Sequence, residues 1–179
     1  MRFSQPFTAA IAASLAFTSC AALASGAQAE QVTAAALEAQ GVIVTAAMPC
    51  DEPSPGPQQE GGPQGLVCIV GDQMFIFSVS TNVADDHASS MPSDFDAAYR
   101  EIESSRDTTM IDEGLDGERR SMAAERGPDP RFGLMRAIEV APGSMAYAVS
   151  MSRPSRTDPL TDEYKQVMRD FVASLEIVE

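Results

Sequence analysis

The first 29 residues place the strongest limit on what this chain can fold into. Arg2 precedes an apolar, alanine-rich run from about Phe7 to Ala24, and the segment closes on Ala27-Gln28-Ala29. A basic start, an apolar run and a small-residue A-x-A site are typical of a secretory signal peptide. Cleavage after Ala29 leaves about 150 residues, which suits a single domain in the periplasm or outside the cell, with no transmembrane segment.

Cys20 supports a second interpretation of the same leader. The stretch Leu15-Ala16-Phe17-Thr18-Ser19-Cys20 resembles a bacterial lipoprotein signal, because a small residue stands directly before the cysteine. Phe17 occupies the position where such signals usually have Leu. Two alternatives therefore stay open: the mature domain works free after cleavage at Ala29, or it works as a lipoprotein anchored to the membrane through Cys20.

The net charge limits the classes of partner. The full chain carries a formal charge of −14 at pH 7. All 26 acidic residues lie after the leader, so losing Arg2 leaves 11 basic residues and a charge of −15. Such a chain repels phosphate backbones and anionic lipid surfaces, so no nucleic-acid partner is predicted. The acidic residues are scattered along the chain, which is typical of a solvated surface.

Two cysteines remain after cleavage, and they predict a disulfide. Cys50 and Cys68 flank a Pro/Gly-rich loop over residues 51–65, which is unsuited to the interior of a helix or strand. An even pair in an oxidising compartment is typical of a cross-link, and closing this loop contributes about 3 kcal/mol in the chain-entropy model. The spacing is unlike the C-x-x-C of redox dithiols.

The remaining pattern predicts one α+β domain over residues 42–179. Residues 30–41 predict a short helix or lead-in, because Ala, Leu and Glu are helix formers and Gly41 is a stop signal. Val42 to Met48 predicts a strand, and Leu66 to Val70 with Met74 to Ser80 predicts a hairpin around Gly71-Asp72.

Strands and helices then alternate in blocks. Phe95, Ala98, Tyr99 and Ile102 form the stripe of a helix that Ser93 can cap. An antiparallel meander follows over 108–113, 118–125, 132–140 and 145–151, with a turn at Gly114-Leu115-Asp116-Gly117. A helix from about Leu160 to Leu175 closes the chain, with Tyr164, Val167, Met168, Phe171 and Leu175 facing inward. This order argues for α+β.

This layout resembles the PsbP-like superfamily of small exported domains. The residues that carry the resemblance are Met48-Pro49-Cys50 at a strand end, the turn Leu115-Asp116-Gly117-Glu118-Arg119, the strand Met145-Ala146-Tyr147-Ala148-Val149 and the helix end Phe171-Val172-Ala173-Ser174-Leu175. The resemblance covers most of residues 42–179. It implies a twisted antiparallel sheet with helices packed on its faces, and an accessory or assembly factor without a catalytic motif.

The candidate chemical groups are few. His87 is the one histidine, so neither a Ser/His/Asp triad nor a zinc site is predicted around Asp85-Asp86-His87. Asp112, Glu113, Asp116 and Glu118 place four carboxylates in seven residues, and hard cations take oxygen ligands. Their spacing does not follow the D-x-D-x-D-G calcium loop, which favours an ordinary acidic turn. The methionines show no Met-x-Met or Met-x-x-Met cluster, which favours core packing over Cu(I) binding.

No catalytic residue, cofactor or metal is predicted, and two functions of different classes remain. The first is an exported, non-catalytic interaction or assembly module of the bacterial cell envelope with a protein partner. The alternative is a periplasmic small-ligand or cation-binding domain, in which the acidic turn and the Pro-rich loop line a cleft between sheet and helix.

Overall fold

The structure is a computed structural model that describes residues 32–56, 64–81, 94–128, 131–152 and 158–178. The leader with Cys20, His87 and residues 57–63 of the Pro/Gly-rich loop lie outside the described residues. Within them the chain forms ten strands and two helices. In chain order these are β1 (Thr33–Ala39), β2 (Val42–Met48), β3 (Ser54–Pro55), β4 (Gln64–Val70), β5 (Gln73–Thr81), α1 (Phe95–Ser104), β6 (Thr108–Asp116), β7 (Arg119–Arg126), β8 (Gly133–Ala141), β9 (Ser144–Ser152), α2 (Asp162–Ala173) and β10 (Glu176–Val178).

The larger sheet has seven antiparallel strands in the order β3-β4-β5-β9-β8-β7-β6. The predicted hairpin of β4 and β5 and the predicted meander from β6 to β9 are both confirmed. Gly71, Gly117 and Gly143 have positive φ at the hairpin turns, a conformation that glycine adopts without steric cost. The turn after β6 lies at Gly117-Glu118, so the acidic residues Asp112, Glu113 and Asp116 belong to a strand rather than to the predicted turn.

The smaller sheet has three strands in the order β1-β2-β10, and it corrects the interpretation of residues 30–41. The predicted helix or lead-in is wrong at Thr33–Ala39, which forms strand β1 against β2. Gln40 and Gly41, both with positive φ, make the two-residue connection typical of a tight hairpin. Pairing with β2 therefore overrides the helix propensity of Ala, Leu and Glu in this segment.

Each face of the large sheet packs against a separate layer. One face, called here the α2 face, contacts α2 and the small sheet through a core that includes Phe75, Ile138 and Phe171. The Phe75 and Phe171 rings meet edge to face with centroids 5.4 Å apart. The opposite face, called here the α1 face, contacts α1 through a second core that includes Phe95 and Tyr147. Alternate residues of β9 enter the two cores, so this strand is buried on both sides.

Both helices follow the predicted stripes with small differences at their starts. Asp94, rather than Ser93, caps α1, and its Oδ1 accepts a hydrogen bond from the Ala97 amide at 2.7 Å. Thr161 caps α2 in the same manner. Phe95, Ala98, Ile102, Met168 and Phe171 are buried as predicted. Tyr164 is not, because it lies in the first turn of α2 with 41% of its surface exposed.

The α+β class and the antiparallel pairing are thus confirmed for a single, mostly-sheet domain with two helices. The expectation of one sheet is corrected to two, with the small sheet occupying part of the α2 face. In the described part of the chain neither helix has the length and apolar character needed to cross a bilayer.

Candidate functional site

A cavity lies between α1 and the α1 face of the large sheet. Its volume is about 290 Å³, close to the lower end for small-molecule pockets. The helix contributes Ala98 and Ile102 to one wall, and the sheet contributes the opposite wall from β7, β8 and β9. The sheet side is largely apolar: Ala124, Leu134, Met135, Met145, Tyr147, Val149 and Met151. We call this space the α1 cavity.

Polar side chains stand along part of its lining. Glu101, Ser105, Thr108 and Arg126 lie there together, and the Ser105 hydroxyl bonds to Thr108 Oγ1 at 3.0 Å. This contact ties the C-capping residue of α1 to the first residue of β6. The α1 cavity thus combines an apolar wall with both a carboxylate and a guanidinium, which is the composition that orients an amphipathic ligand.

Tyr147 is the titratable side chain buried in the cavity wall. It is almost fully buried on the α1 face of β9, opposite Ser78 of β5. Burial raises the pKa of the Tyr147 phenol, while a hydrogen bond with Ser78 acts in the opposite direction. The phenol is therefore neutral at physiological pH, where it contributes a hydroxyl group rather than a charge.

Strand β6 forms an edge of the large sheet and carries the predicted acidic residues. Glu113 accepts a hydrogen bond from Tyr99 of α1 at 3.2 Å, and the pKa of Tyr99 is raised by Glu103 and Glu113. Asp116 forms an ion pair with Arg136 at 2.9 Å. Asp112 and Glu118 are exposed. Among the described residues, no group of three or more Asp, Glu, His or Cys side chains is placed to hold a metal ion.

The same edge strand exposes two large aliphatic side chains. Ile111 and Leu115 have 57% and 70% of their surfaces exposed. Ile111 falls at a β-bulge, where the pairing of β6 with β7 shifts register between Met110 and Asp112. The strand pairs with β7 on one side, and in the described chain no strand pairs with its other side. Unpaired backbone groups on such an edge are available to an extended segment of another chain.

The cysteine pair lies at the end of β2 and within β4. Cys50 and Cys68 are bonded, with sulfur atoms 2.12 Å apart and Cα atoms 6.3 Å apart. Cys68 is buried, and both residues pack with the core of the α2 face. The pair therefore fastens the small sheet to the large one, and a structural disulfide of this kind favours an oxidising, exported compartment.

Two features of these sites are not predicted from the sequence. The methionines are scattered along the chain, yet strand pairing gathers several of them on the α1 face. Period-two alternation assigns them to one face of each strand, but their proximity depends on the order and register of five strands. The exposure of Ile111 and Leu115 likewise depends on β6 lying at an edge rather than inside the sheet.

Comparisons with known proteins give a distant structural likeness and no family. No family model matches the chain, and no curated protein matches it. The structure is similar to that of the Saccharomyces cerevisiae Ran-binding protein Mog1p, with 12% identity and a TM-score of 0.39 over 83% of this chain and 97% of that one. A structure of a Mog1 point mutant gives 11% identity and a TM-score of 0.36, over 82% and 97% of the two chains. The predicted membership of the PsbP-like superfamily is therefore wrong, since the structural neighbours are Mog1 proteins.

Proposed function

We propose that this chain is an exported, non-catalytic protein-interaction module of the bacterial cell envelope, and that strand β6 is its docking edge. The observation that carries the proposal is the nine-residue edge strand Thr108–Asp116, whose outer side is unpaired in the described chain and which exposes Ile111 and Leu115. An extended partner segment adds to such an edge through backbone hydrogen bonds, and its alternate side chains contact exposed apolar groups. The other end of this sheet is β3, which has two residues and offers a much shorter edge.

The charge of the docking edge selects the kind of partner. Asp112, Glu113 and Asp116 lie in β6, and Glu118 follows in the turn. A second copy of a chain with net charge −14 is repelled from this edge, so the carboxylates protect it against self-pairing. A segment that alternates apolar residues with Lys or Arg meets both the carboxylates and the exposed aliphatic side chains. The proposed occupant is therefore a basic, extended segment of an envelope protein.

Site-specific photocrosslinking in whole cells tests this function. A photoreactive residue at position 115 is compared with one at position 43, because Ile43 is also half exposed but lies in β2, the central strand of the small sheet. The proposal expects one reproducible envelope-protein adduct from position 115 and none from position 43. Leu115→Glu is expected to abolish an adduct formed from position 111. Equal labelling from positions 115 and 43, or none from either, contradicts the proposal.

A synthetic peptide gives a second measurement, which does not require the partner to be identified. A ten-residue peptide of alternating Val and Lys is titrated into the protein, and amide shifts of β6 are followed by NMR. Its Val/Glu counterpart is the matched control. The proposal expects shifts confined to β6 and the adjacent turn for the basic peptide, with weaker binding at high salt. Binding of both peptides, or shifts elsewhere, counts against a basic occupant.

The α1 cavity supports a second candidate function, a small-ligand-binding domain. Its volume of about 290 Å³ and its apolar wall with Glu101 and Arg126 suit a small amphipathic molecule. A thermal-shift panel of such compounds tests it, since a ligand that binds the folded state raises the melting temperature. Ala124→Leu, which fills the cavity wall, is expected to remove the shift. A panel without any shift excludes this candidate and leaves the docking edge unaffected.

Two locations are proposed for this domain, and the processing of the leader decides between them. Cleavage after Ala29 delivers a free periplasmic or secreted domain, whereas lipidation of Cys20 holds the same domain at a membrane. Mass spectrometry of the mature N-terminus separates them, because a chain that begins at Glu30 has lost Cys20.

A further inference from the structure

Two charged side chains without ion-pair partners line the α1 cavity. Glu101 belongs to α1 and Arg126 to β7. In the part of the chain that the structure describes, neither forms an ion pair with the other or with a third group, whereas Arg120 and Arg136 are both paired with carboxylates. A carboxylate and a guanidinium that share one cavity without pairing are both available to a ligand with complementary charges.

Local contacts place both charges at the same corner of the cavity. Glu101 lies four residues before Ser105, which is about one helical turn. Ser105 donates a hydrogen bond to Thr108 Oγ1 at 3.0 Å. Thr108 is in turn the direct cross-strand partner of Arg126, a relation that places Cβ atoms about 4.5–5.5 Å apart. Glu101 and Arg126 therefore lie on either side of the contact between Ser105 and Thr108, and we call these four residues the polar corner.

The polar corner offers separate partners to an anionic and to a cationic group. The guanidinium of Arg126 binds a carboxylate through two parallel hydrogen bonds. Because the Thr108 oxygen accepts the proton of Ser105, the proton of the Thr108 hydroxyl is left to donate to the same carboxylate. The Glu101 carboxylate is an acceptor for an ammonium group. A ligand that carries both charges on neighbouring atoms therefore has a partner for each of them.

Apolar side chains form the wall next to the polar corner. Ala124 lies two residues before Arg126 in β7 and on the same face of the sheet. Ala124 pairs with Met135, and Met135 pairs with Val149, so the three form one row across β7, β8 and β9. Ile102 of α1 lines the cavity on the helix side. With a volume of about 290 Å³, the cavity suits a short apolar group beside the two charges.

We propose that the α1 cavity binds an apolar α-amino acid as its zwitterion, with the carboxylate at Arg126 and Thr108, the ammonium at Glu101 and the side chain against the apolar row. This inference rests on the small-ligand function proposed for the cavity and is independent of the docking edge. A fatty-acid anion is opposed by Glu101 and by the net charge of −14, and an alkylamine is opposed by Arg126. The zwitterion satisfies both side chains and carries no net charge.

Calorimetric titration of the full chain with L-leucine, L-methionine and L-phenylalanine tests the ligand class. At least one of the three is expected to bind with one molecule per chain. Its N-acetyl derivative lacks the ammonium and its amide lacks the carboxylate, and each is expected to bind at least about threefold more weakly, since an exposed ion pair contributes up to about 1 kcal/mol. Equal binding of a derivative, or no binding of the amino acids, overturns the zwitterion. Any other compound that raises the melting temperature in the thermal-shift panel then still supports the small-ligand function.

Charge-neutralising variants connect each ligand charge to one residue. Glu101→Gln is expected to remove the preference for the amino acid over its N-acetyl derivative, and Arg126→Gln the preference over its amide. Glu118→Gln and Arg100→Gln make the same changes of charge at exposed positions outside the cavity lining, and they are expected to bind as the parent does. Circular dichroism verifies that each variant is folded. Preferences that survive in both cavity variants overturn the proposal.

NMR of the methionine methyl groups locates the bound amino acid. Met135 and Met151 line the α1 cavity, whereas Met48 and Met168 lie in the core of the α2 face. The proposal expects methyl shifts at Met135 and Met151 that follow the calorimetric saturation, and none at the other two. Shifts confined to Met48 and Met168, or saturation of the calorimetric signal without any methyl shift, place the ligand elsewhere and contradict the proposal.

Discussion

Arg136 connects three elements through one guanidinium group. Its Nη1 donates to the carbonyl oxygens of Ala173 and Leu175, each at 3.0 Å, and its Nη2 contacts Asp116 at 2.9 Å. Helix α2 has no basic residue in its last turn, so this side chain from β8 supplies the cation that a helix C-terminus favours. An arginine that interrupts the apolar alternation of a strand thus has a structural role.

We expect Arg136→Met to lower the free energy of unfolding by about 1–3 kcal/mol, because hydrogen bonds from a charged donor to the carbonyls of Ala173 and Leu175 are lost. The partly exposed Asp116 carboxylate contributes little of this loss. Urea unfolding followed by circular dichroism measures the change. Arg100→Met, at an exposed position of α1, is the control and is expected to stay within about 0.5 kcal/mol of the parent. Equal losses in both variants contradict the proposed role.

Two buried serines of β9 offer a matched pair. Ser144 donates a hydrogen bond to the Ser80 carbonyl at 2.8 Å, whereas Ser150 Oγ has no hydrogen-bond partner in the described chain. Removing a satisfied hydroxyl loses its hydrogen bond, while removing an unsatisfied one relieves a desolvation penalty. Ser144→Ala is therefore expected to destabilise by about 1 kcal/mol, and Ser150→Ala to be neutral or stabilising. Thermal unfolding of both variants measures the two changes in stability. A larger loss for Ser150→Ala than for Ser144→Ala contradicts the prediction.

The buried phenol of Tyr147 predicts a loss of stability in alkali. Its pKa is raised in the folded state above the unfolded value of 10.0, so the folded protein holds the proton more tightly. This contribution is fully present below about pH 10 and is lost as the pH rises from there through the folded pKa. Urea unfolding between pH 8 and 11 measures it. Tyr147→Phe is expected to be less stable than the parent at pH 8, but its free energy of unfolding is expected to fall less steeply above pH 10. If the two proteins lose stability in parallel, the pH dependence does not belong to Tyr147.

Element by element, the sequence predicts local structure well where the hydrophobic period and the turn residues agree. Phe75, Phe77 and Val79 alternate after Gly71-Asp72, and β5 forms as predicted. The prediction of a helix or lead-in is wrong for Thr33–Ala39. The composition of this segment favours a helix, whereas its burial follows a period of two that buries Ala35 and Ala39. The signal that indicates the strand is Gln40-Gly41 before a β-prone run, because a short hairpin turn pairs β1 with β2.

The disulfide links two strands of the fold, because it joins the end of β2 to β4. Cys50→Ser with Cys68→Ser is expected to lower the free energy of unfolding by about 3 kcal/mol, because the reduced unfolded chain regains the entropy of the intervening loop. The measurement is urea unfolding of the double variant beside the parent with and without reductant. Reductant is expected to affect the parent only. A parent that resists reduction yet matches the double variant in stability contradicts the entropic account.

At the scale of the molecule, the candidate sites were less predictable than the fold. Their residues are visible in the sequence, but their grouping arises from strand order. Met135 and Met151 meet in the wall of the α1 cavity because β8 pairs with β9. Asp112, Glu113, Asp116 and Glu118 are neighbours in sequence, yet alternation along β6 points successive carboxylates to opposite faces, and two of them engage Tyr99 and Arg136.

Because β9 is buried on both faces, the two cores are expected to unfold as one cooperative unit. Met122→Ala removes side-chain volume from the core beneath α1, and Phe171→Ala removes it from the core beneath α2. Each is expected to cost about 2–5 kcal/mol and to shift a single transition, with the same midpoint by circular dichroism and by hydrogen exchange of α1 amides. Tyr164→Ala, at an exposed site, is the control. If Met122→Ala instead releases α1 before the remainder of the protein unfolds, the α1 cavity belongs to a layer that opens separately. Ligand binding in the cavity would then stabilise that layer without raising the midpoint of the main unfolding transition.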